Sequence, residues 1–301
     1  MQGLHLGSGV MQYKITGEEY DGMTALWDWR RLPGLTAVYD DASLLAYSNV
    51  NSSPAVGGVS DNINSGVMLQ MVQAEKLEYC KSVATFDDTI VFTLSGVNNK
   101  TACPVNTTID SKRYTVPVEV FDNNGQRQSY SDGVHRLSGV KRIVCGSTAY
   151  TFPGGADLTL AIEEKNVAWN TITSWADGSY SGKSVTIYFS GTRAISYLVH
   201  PAEKVIDSIK SIAVGNSYHA VMDPVSNIKY LFFFAPGQAG IPGIGQVACD
   251  RKAAVMIKDK HLLLAGVEQS GSAVKFTLNG KLYTFAPPAE MYAGKSVILL
   301  R

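Results

Sequence analysis

The chain has 301 residues, of which 45% are hydrophobic and 17% charged, with 28 glycines and 11 prolines. That is an ordinary globular composition, long enough for one large domain and a smaller one. Lys+Arg and Asp+Glu both total 26, so no global field draws the chain to nucleic acid or to an anionic membrane, and no apolar run reaches the roughly 18 residues of a spanning helix.

The N-terminal residues lack the basic segment followed by an apolar one that marks a signal peptide. Beyond them the dominant signal is period-two alternation, which puts successive side chains on opposite faces of a strand. Met11, Tyr13 and Ile15 alternate with Gln12 and Lys14, and Tyr114, Val116, Val118 and Val120 alternate with Thr115, Pro117 and Glu119. Pro117 has no N–H for a ladder bond, so its strand is expected at a sheet edge or at a bulge. The same alternation continues through Leu158, Leu160 and Ile162, then Val185, Ile187 and Phe189, then Ile195, Tyr197 and Val199.

Turn chemistry separates these runs at Asp87-Asp88, at Asp122-Asn123-Asn124-Gly125 and at Pro153-Gly154-Gly155. Near the end, Asn279-Gly280 has the residue types of a type I′ hairpin, a register that sets Phe276 opposite Tyr283 and Val274 opposite Phe285. The fold class expected is all-β.

Two stretches depart from this pattern. Pro201 is followed by Ala202, Val205, Ile206, Ile209 and Ile212, a spacing that predicts a short helix. Residues 235–245 are rich in Gly and Pro without periodicity and read as a connector. The division expected is therefore a β domain over 1–237, a linker over 238–245 and a smaller domain over 246–301.

Motifs for common chemistries fail on their spacing. Gly182-Lys183-Ser184 and Gly294-Lys295-Ser296 lack the upstream glycine of a phosphate loop, where Asp177 and Ala289 stand, and Gly243-Ile244-Gly245 is half of a dinucleotide fingerprint. The five histidines are isolated, with no His-Glu-x-x-His and no Gly-x-Ser-x-Gly. The cysteines, Cys80, Cys103, Cys145 and Cys249, form no Cys-x-x-Cys pair and are read as buried thiols, with a Cys80–Cys103 bridge left open. Neither a metal nor a cofactor is implied.

The densest chemistry lies in residues 27–34, Trp-Asp-Trp-Arg-Arg-Leu-Pro-Gly. On one strand, Trp27 and Trp29 would present both rings on one face as a platform for sugar rings, and Arg30 or Arg31 would pair with a uronate or sulfate. These four are the candidate substrate-binding residues. The competing reading has the tryptophans filling the core and the arginines bracing the Pro33-Gly34 turn.

With Glu18-Glu19-Tyr20-Asp21-Gly22, residues 27–34, Val56-Gly57-Gly58-Val59-Ser60-Asp61, Phe86-Asp87-Asp88-Thr89-Ile90-Val91, Ser196-Tyr197-Leu198-Val199-His200-Pro201 and Ala293-Gly294-Lys295-Ser296-Val297 in this order, the chain resembles the C-terminal β portion of polysaccharide lyase family 8, the chondroitin, hyaluronan and xanthan lyases. It departs from the family at Val83, where a Trp often stands, and at Leu35 in the Pro-Gly turn. The resemblance implies a large antiparallel super-sandwich followed by a small C-terminal β-sandwich. It also implies β-elimination at a uronic acid in a glycosaminoglycan or xanthan-type polysaccharide, by an enzyme that is secreted or periplasmic. In the family the Asn, His, Tyr and Arg of that chemistry sit on an N-terminal α/α toroid, the implied partner, so no catalytic residue is carried onto this chain. The alternative expectation is a stand-alone carbohydrate-binding or scaffold β protein.

Overall fold

The computed structural model describes residues 5–40, 51–173, 175, 177–206, 208–268, 271–288 and 296–300. A single helical turn, α1 (Met23–Leu26), precedes a succession of strands whose pairings among the described residues are all antiparallel. The first twelve are β1 (Thr36–Val38), β2 (Asn51–Ser60), β3 (Ser65–Gln73), β4 (Leu77–Phe86), β5 (Thr89–Asn99), β6 (Val105–Arg113), β7 (Val118–Asp122), β8 (Arg127–Tyr130), β9 (Gly133–Cys145), β10 (Thr148–Ala168), β11 (Ser179–Ser190) and β12 (Ile195–Pro201). They form one twelve-stranded sheet in the order β1-β6-β11-β10-β12-β5-β4-β3-β2, with β9, β7 and β8 branching from β10.

The remaining strands build two further sheets. β13 (Lys210–Val214), β14 (Tyr218–Asp223) and β15 (Ile228–Phe233) are followed by the hairpin of β16 (Gly237–Ile241) and β17 (Gly245–Cys249). Then come β18 (Ala253–Lys258), β19 (His261–Gly266), β20 (Val274–Leu278), β21 (Lys281–Phe285) and β22 (Val297–Leu300). A six-stranded sheet runs β13-β14-β15-β18-β19-β22, and a four-stranded sheet runs β16-β17-β20-β21.

Alternation along the strands sorts side chains into three stacked cores. On β12, Ile195, Tyr197 and Val199 join Phe92, Phe152 and Phe189 in the core of the large sheet, while Leu198 turns to the opposite face and meets the six-stranded sheet. On β15 and the residue that follows it, the run Tyr230-Leu231-Phe232-Phe233-Phe234 is buried throughout because Tyr230, Phe232 and Phe234 face the large sheet, and Leu231 and Phe233 face the four-stranded one. A strand covered on both faces is apolar at every position, not at every second one. The six-stranded sheet is thus the middle layer.

Several expected turns are present. Asn279 (φ 49°) and Gly280 (φ 82°) make the β20–β21 turn, with Phe276 opposite Tyr283 and Val274 opposite Phe285. Asp87 (φ 52°) turns β4 into β5, and Asp122 Oδ1 accepts from the N–H groups of Asn124 and Gln126 between β7 and β8. All four cysteines are free thiols, three buried and Cys103 half-buried.

Five expectations are corrected. Residues 11–15 form no strand, because the N–H of Met11 donates to the Pro33 carbonyl and those of Ile15 and Thr16 to the Glu19 carboxylate, leaving no ladder. Residues 114–120 are not one strand: Tyr114 N–H is spent on the Lys183 carbonyl, and β7 starts after Pro117. Pro153-Gly154-Gly155 is a bulge inside the 21-residue β10, where residues 152–155 stand opposite Lys141 alone. Among the described residues no helix follows Pro201: it ends β12 opposite Thr148, and Ala202 N–H donates to the Ser147 carbonyl. Residues 238–245 hold most of β16 and its turn, so the expected linker is a hairpin, and a cut there divides the six-stranded sheet between β15 and β18.

Candidate functional site

The tryptophan and arginine stretch begins where α1 ends. Trp27 N–H still donates to the Met23 carbonyl (2.8 Å), but Trp27 itself is extended (φ −61°, ψ 135°), so the chain leaves the helical turn there. Asp28 opens a tight turn whose carbonyl accepts from Arg31 N–H at 2.7 Å and whose carboxylate accepts from Arg30 N–H at 3.1 Å. A second turn closes at Gly34 (φ 74°), where an added Cβ would lie 2.9 Å from Met11 N, so the close approach of two backbones requires glycine.

Trp27 and Trp29 therefore share no strand, and their rings do not form a common platform. The ring centroids are 6.0 Å apart at 85°, edge to face. Trp27 Nε1 donates to the Ser111 carbonyl on β6 (2.8 Å), and Trp29 packs on the buried Leu32, Leu35 and Ala37. Both rings are half-buried.

The arginines are engaged within the fold. Arg30 Nε donates to Asp28 Oδ1 (3.0 Å), another Arg30 N–H donates to Tyr39 Oη (3.1 Å), and Tyr39 O–H donates to Asp28 Oδ2 (2.9 Å). Burial works to raise the Asp28 pKa, but the hydrogen bonds and charge of Arg30, with Tyr39, outweigh it and hold the carboxyl below its usual range. The Arg31 guanidinium carbon lies 4.1 Å from the centre of the Tyr39 ring and 4.0 Å from that of Tyr188, a cation between two aromatic faces. Beneath the corner Lys81 is 3% exposed and donates to the carbonyls of Gly34 (2.7 Å) and Gly9 (3.1 Å). Burial lowers its pKa to about 7.

The other distinctive segments prove to be fastenings too. Glu19 accepts from the N–H groups of Ile15, Thr16 and Gly17 (2.8–3.0 Å). Burial opposes ionisation, but these bonds prevail and hold Glu19 at a pKa of about 2. Tyr20 O–H donates to Asp110 Oδ1 (2.9 Å), and Tyr150 O–H donates to its other oxygen, with Lys112 Nζ 3.8 Å away. Burial pushes Asp110 up against the pull of Lys112 and these bonds. Asp61 caps the N–H groups of Ile63 and Asn64 and pairs with Lys258 of the middle sheet at 2.6 Å.

Two of the buried histidines, His200 and His219, are fixed as neutral tautomers. His200 Nδ1 lies 2.9 Å from the Pro201 carbonyl, which only accepts, so Nε2 receives the Thr151 hydroxyl proton (2.9 Å). Ser95 O–H donates to the Gly215 carbonyl, so its oxygen accepts from His219 Nε2–H (2.7 Å), and His219 Nδ1 accepts from Ser82 (2.8 Å). Burial lowers the pKa of both, that of His219 to about 3. Among the described residues no group of three or more His, Cys, Asp or Glu side chains is arranged to hold a metal ion, and no helix is long and apolar enough to cross a membrane.

Stacked antiparallel sheets braced by an aromatic and arginine corner define a large β-sheet protein of sandwich type. The family model of polysaccharide lyase family 8, super-sandwich domain, matches residues 1–207, and the chain belongs to that family. Chondroitinase-AC of Pedobacter heparinus is 24% identical over 273 residues, covering 85% of this chain and 38% of that protein. A solved chondroitinase AC lyase covers 99% of this chain and 48% of its own at 20% identity and a TM-score of 0.87. A xanthan lyase from Paenibacillus covers 92% and 30% at 22% identity and a TM-score of 0.80. At those identities the solved structures speak for the fold alone. The chain spans less than half the length of each of these relatives.

Proposed function

We propose that this chain is the β portion of a polysaccharide lyase that cleaves uronic-acid polysaccharides, of glycosaminoglycan or xanthan type, by β-elimination. In this reading it supports the substrate cleft of an α/α toroid that carries the catalytic groups, and the enzyme works outside the cytoplasm, secreted or in the periplasm. The observation that carries the proposal is membership in the family over residues 1–207, combined with coverage of only 38% of the curated relative.

The chemistry divides accordingly. Elimination needs the uronate carboxylate neutralised, the C5 proton abstracted by a base poised near working pH, and the C4 oxygen protonated as it leaves. His200 and His219 have both ring nitrogens engaged in the core, and the carboxylate of Asp28 is held by Arg30 and Tyr39. Trp27, Trp29, Arg30 and Arg31 serve as a braced wall beside the sugar chain rather than as reacting groups.

The test is direct. The purified chain, incubated with hyaluronan, chondroitin sulfate and xanthan, is expected to produce no ultraviolet absorbance from unsaturated uronate. Robust product formation by the chain alone would overturn the division of labour.

A further inference from the structure

We propose that a basic pocket beside the β10 bulge binds an acidic sugar residue, a uronate or a sulfated sugar, of a polysaccharide chain; the choice of polysaccharide rests on the reading above. The pocket is concave, with a volume of about 780 Å³, and lies between the bulge, the β11–β12 turn and the segment leading into β13.

Its charge is the first observation. The chain is neutral overall, yet the lining brings together Lys141, Arg142, Arg193 and Lys210 with no carboxylate among the described residues. These four cations come from three separate places in the sequence, on β9, in the β11–β12 turn and at the start of β13, so the cluster exists only in the folded chain. Asp157, just outside, approaches one of them, with its Oδ2 4.0 Å from an Arg193 nitrogen. Among the described residues, four lining cations with one carboxylate beside them leave a concentrated positive field in a concave site, where an anion is held more strongly than on open surface.

The second observation is that the site is built. The bulge is pinned over the pocket by Lys141 Nζ, which donates to the Pro153 carbonyl at 2.6 Å, and Gly155 (φ 74°) lets the backbone turn back into the strand. Arg142 donates to the carbonyls of Ala202 and Lys204, tying β9 to the opposite wall. Arg193 lies over the Phe189 ring, 5.2 Å from its centre, which holds an exposed guanidinium at the pocket edge.

The third is the mixture of surfaces. Val205 is exposed at 73% on one wall, Ile206 and Ile209 continue into the core beneath, and the buried Phe152 and Phe189 complete the lining. A sugar ring offers C–H faces to such a surface and directs its carboxylate or sulfate to the cations around it, with guanidinium forks suited to either anion. A free inorganic anion has no use for the apolar wall. A nucleic acid strand would look for aromatic faces to stack on, and the two lining phenylalanines are only 2% and 4% exposed.

The experiment is calorimetric titration of the chain with hexasaccharides of chondroitin sulfate and hyaluronan, with a neutral chitin hexasaccharide, inorganic sulfate and a six-nucleotide DNA strand as comparators. The acidic hexasaccharides are expected to bind, more weakly as salt is added. The exposed-site double variant Arg193→Glu/Lys210→Glu should lose at least tenfold in affinity with an unchanged melting temperature, while Arg127→Glu on β8 leaves binding as it was. Absence of binding, equal binding of the neutral sugar, equal binding of sulfate or DNA, or full retention of affinity in the double variant would each overturn the proposal. Its failure is distinguishable from failure of the lyase reading: a chain that supports elimination but binds normally in the double variant sinks only the pocket. A chain that binds through the pocket but never supports elimination sinks only the lyase assignment.

Discussion

Lys81 and His219 show how individual residues of this fold respond to pH. Lys81 has a folded-state pKa of about 7 against an ordinary 10.5. Between those values the unfolded chain holds the proton more firmly, so stability falls as pH drops from 10.5 to 7. Unfolding in urea is expected to show a gain of about 2–3 kcal/mol from pH 7 to 9 that is missing in Lys81→Met. His219 behaves alike in a lower window, with about 3 in the folded state against 6.5. Above pH 6.5 both states are neutral, and below it only the unfolded state gains the proton, so stability is lost as pH falls from 6.5 towards 3. The loss assignable to His219 is about 2 kcal/mol between pH 7.5 and 5, read as the difference in urea unfolding between the wild type and His219→Gln.

The tryptophans belong to the same scale. Trp29→Ala is expected to cost about 2–4 kcal/mol in urea unfolding while hexasaccharide affinity changes less than twofold; an unchanged melting temperature with lost binding would contradict this. Their chemical density is visible in the sequence, but their placement is not, because a spacing of two implies a shared face only on a strand, and here a helical turn runs into tight turns. Lys81 was open to inference: it shares parity with Tyr79 and Val83, both packed in the first core, so a cation on an inward face was the available signal. The four cations of the pocket gave none, since no local spacing links β9 to β13.

At the scale of elements, hairpins are legible where turn residues separate two alternating runs, as at Asp87-Asp88 and Asn279-Gly280. Pro153-Gly154-Gly155 reads as a turn in the sequence because turns and bulges draw on the same residues. Only the pairing of β10 with β9 on both sides of it tells them apart. The helical spacing after Pro201 arises because Ile206 and Ile209 both reach the second core from an irregular segment. How closely sheets approach is likewise a tertiary fact. A Cβ on Gly66 of β3 would come 2.6 Å from Tyr230 and 2.8 Å from Phe232 of the middle sheet. Gly66→Val is therefore expected to cost about 1–3 kcal/mol, measured by thermal unfolding.

At the scale of the whole molecule, several of the segments that carry the family resemblance fasten the structure, while Ala293-Gly294-Lys295 lie outside the described residues. Glu19 closes a loop, Asp61 ties the large sheet to Lys258 of the middle one, and the Arg30–Asp28–Tyr39 network braces the corner. Their order was readable along the chain, whereas the stacking of three sheets was not, because it depends on contacts between strands far apart in sequence. In the proposed division of labour, this β portion scaffolds chemistry supplied by a toroid. Adding a separately purified α/α toroid domain of the family to this chain, and following unsaturated-uronate absorbance on chondroitin sulfate, hyaluronan and xanthan, tests it most directly. Activity that appears only when both parts are present is the expected result, and full activity in this chain alone, or no gain from any family toroid over the toroid by itself, would contradict it.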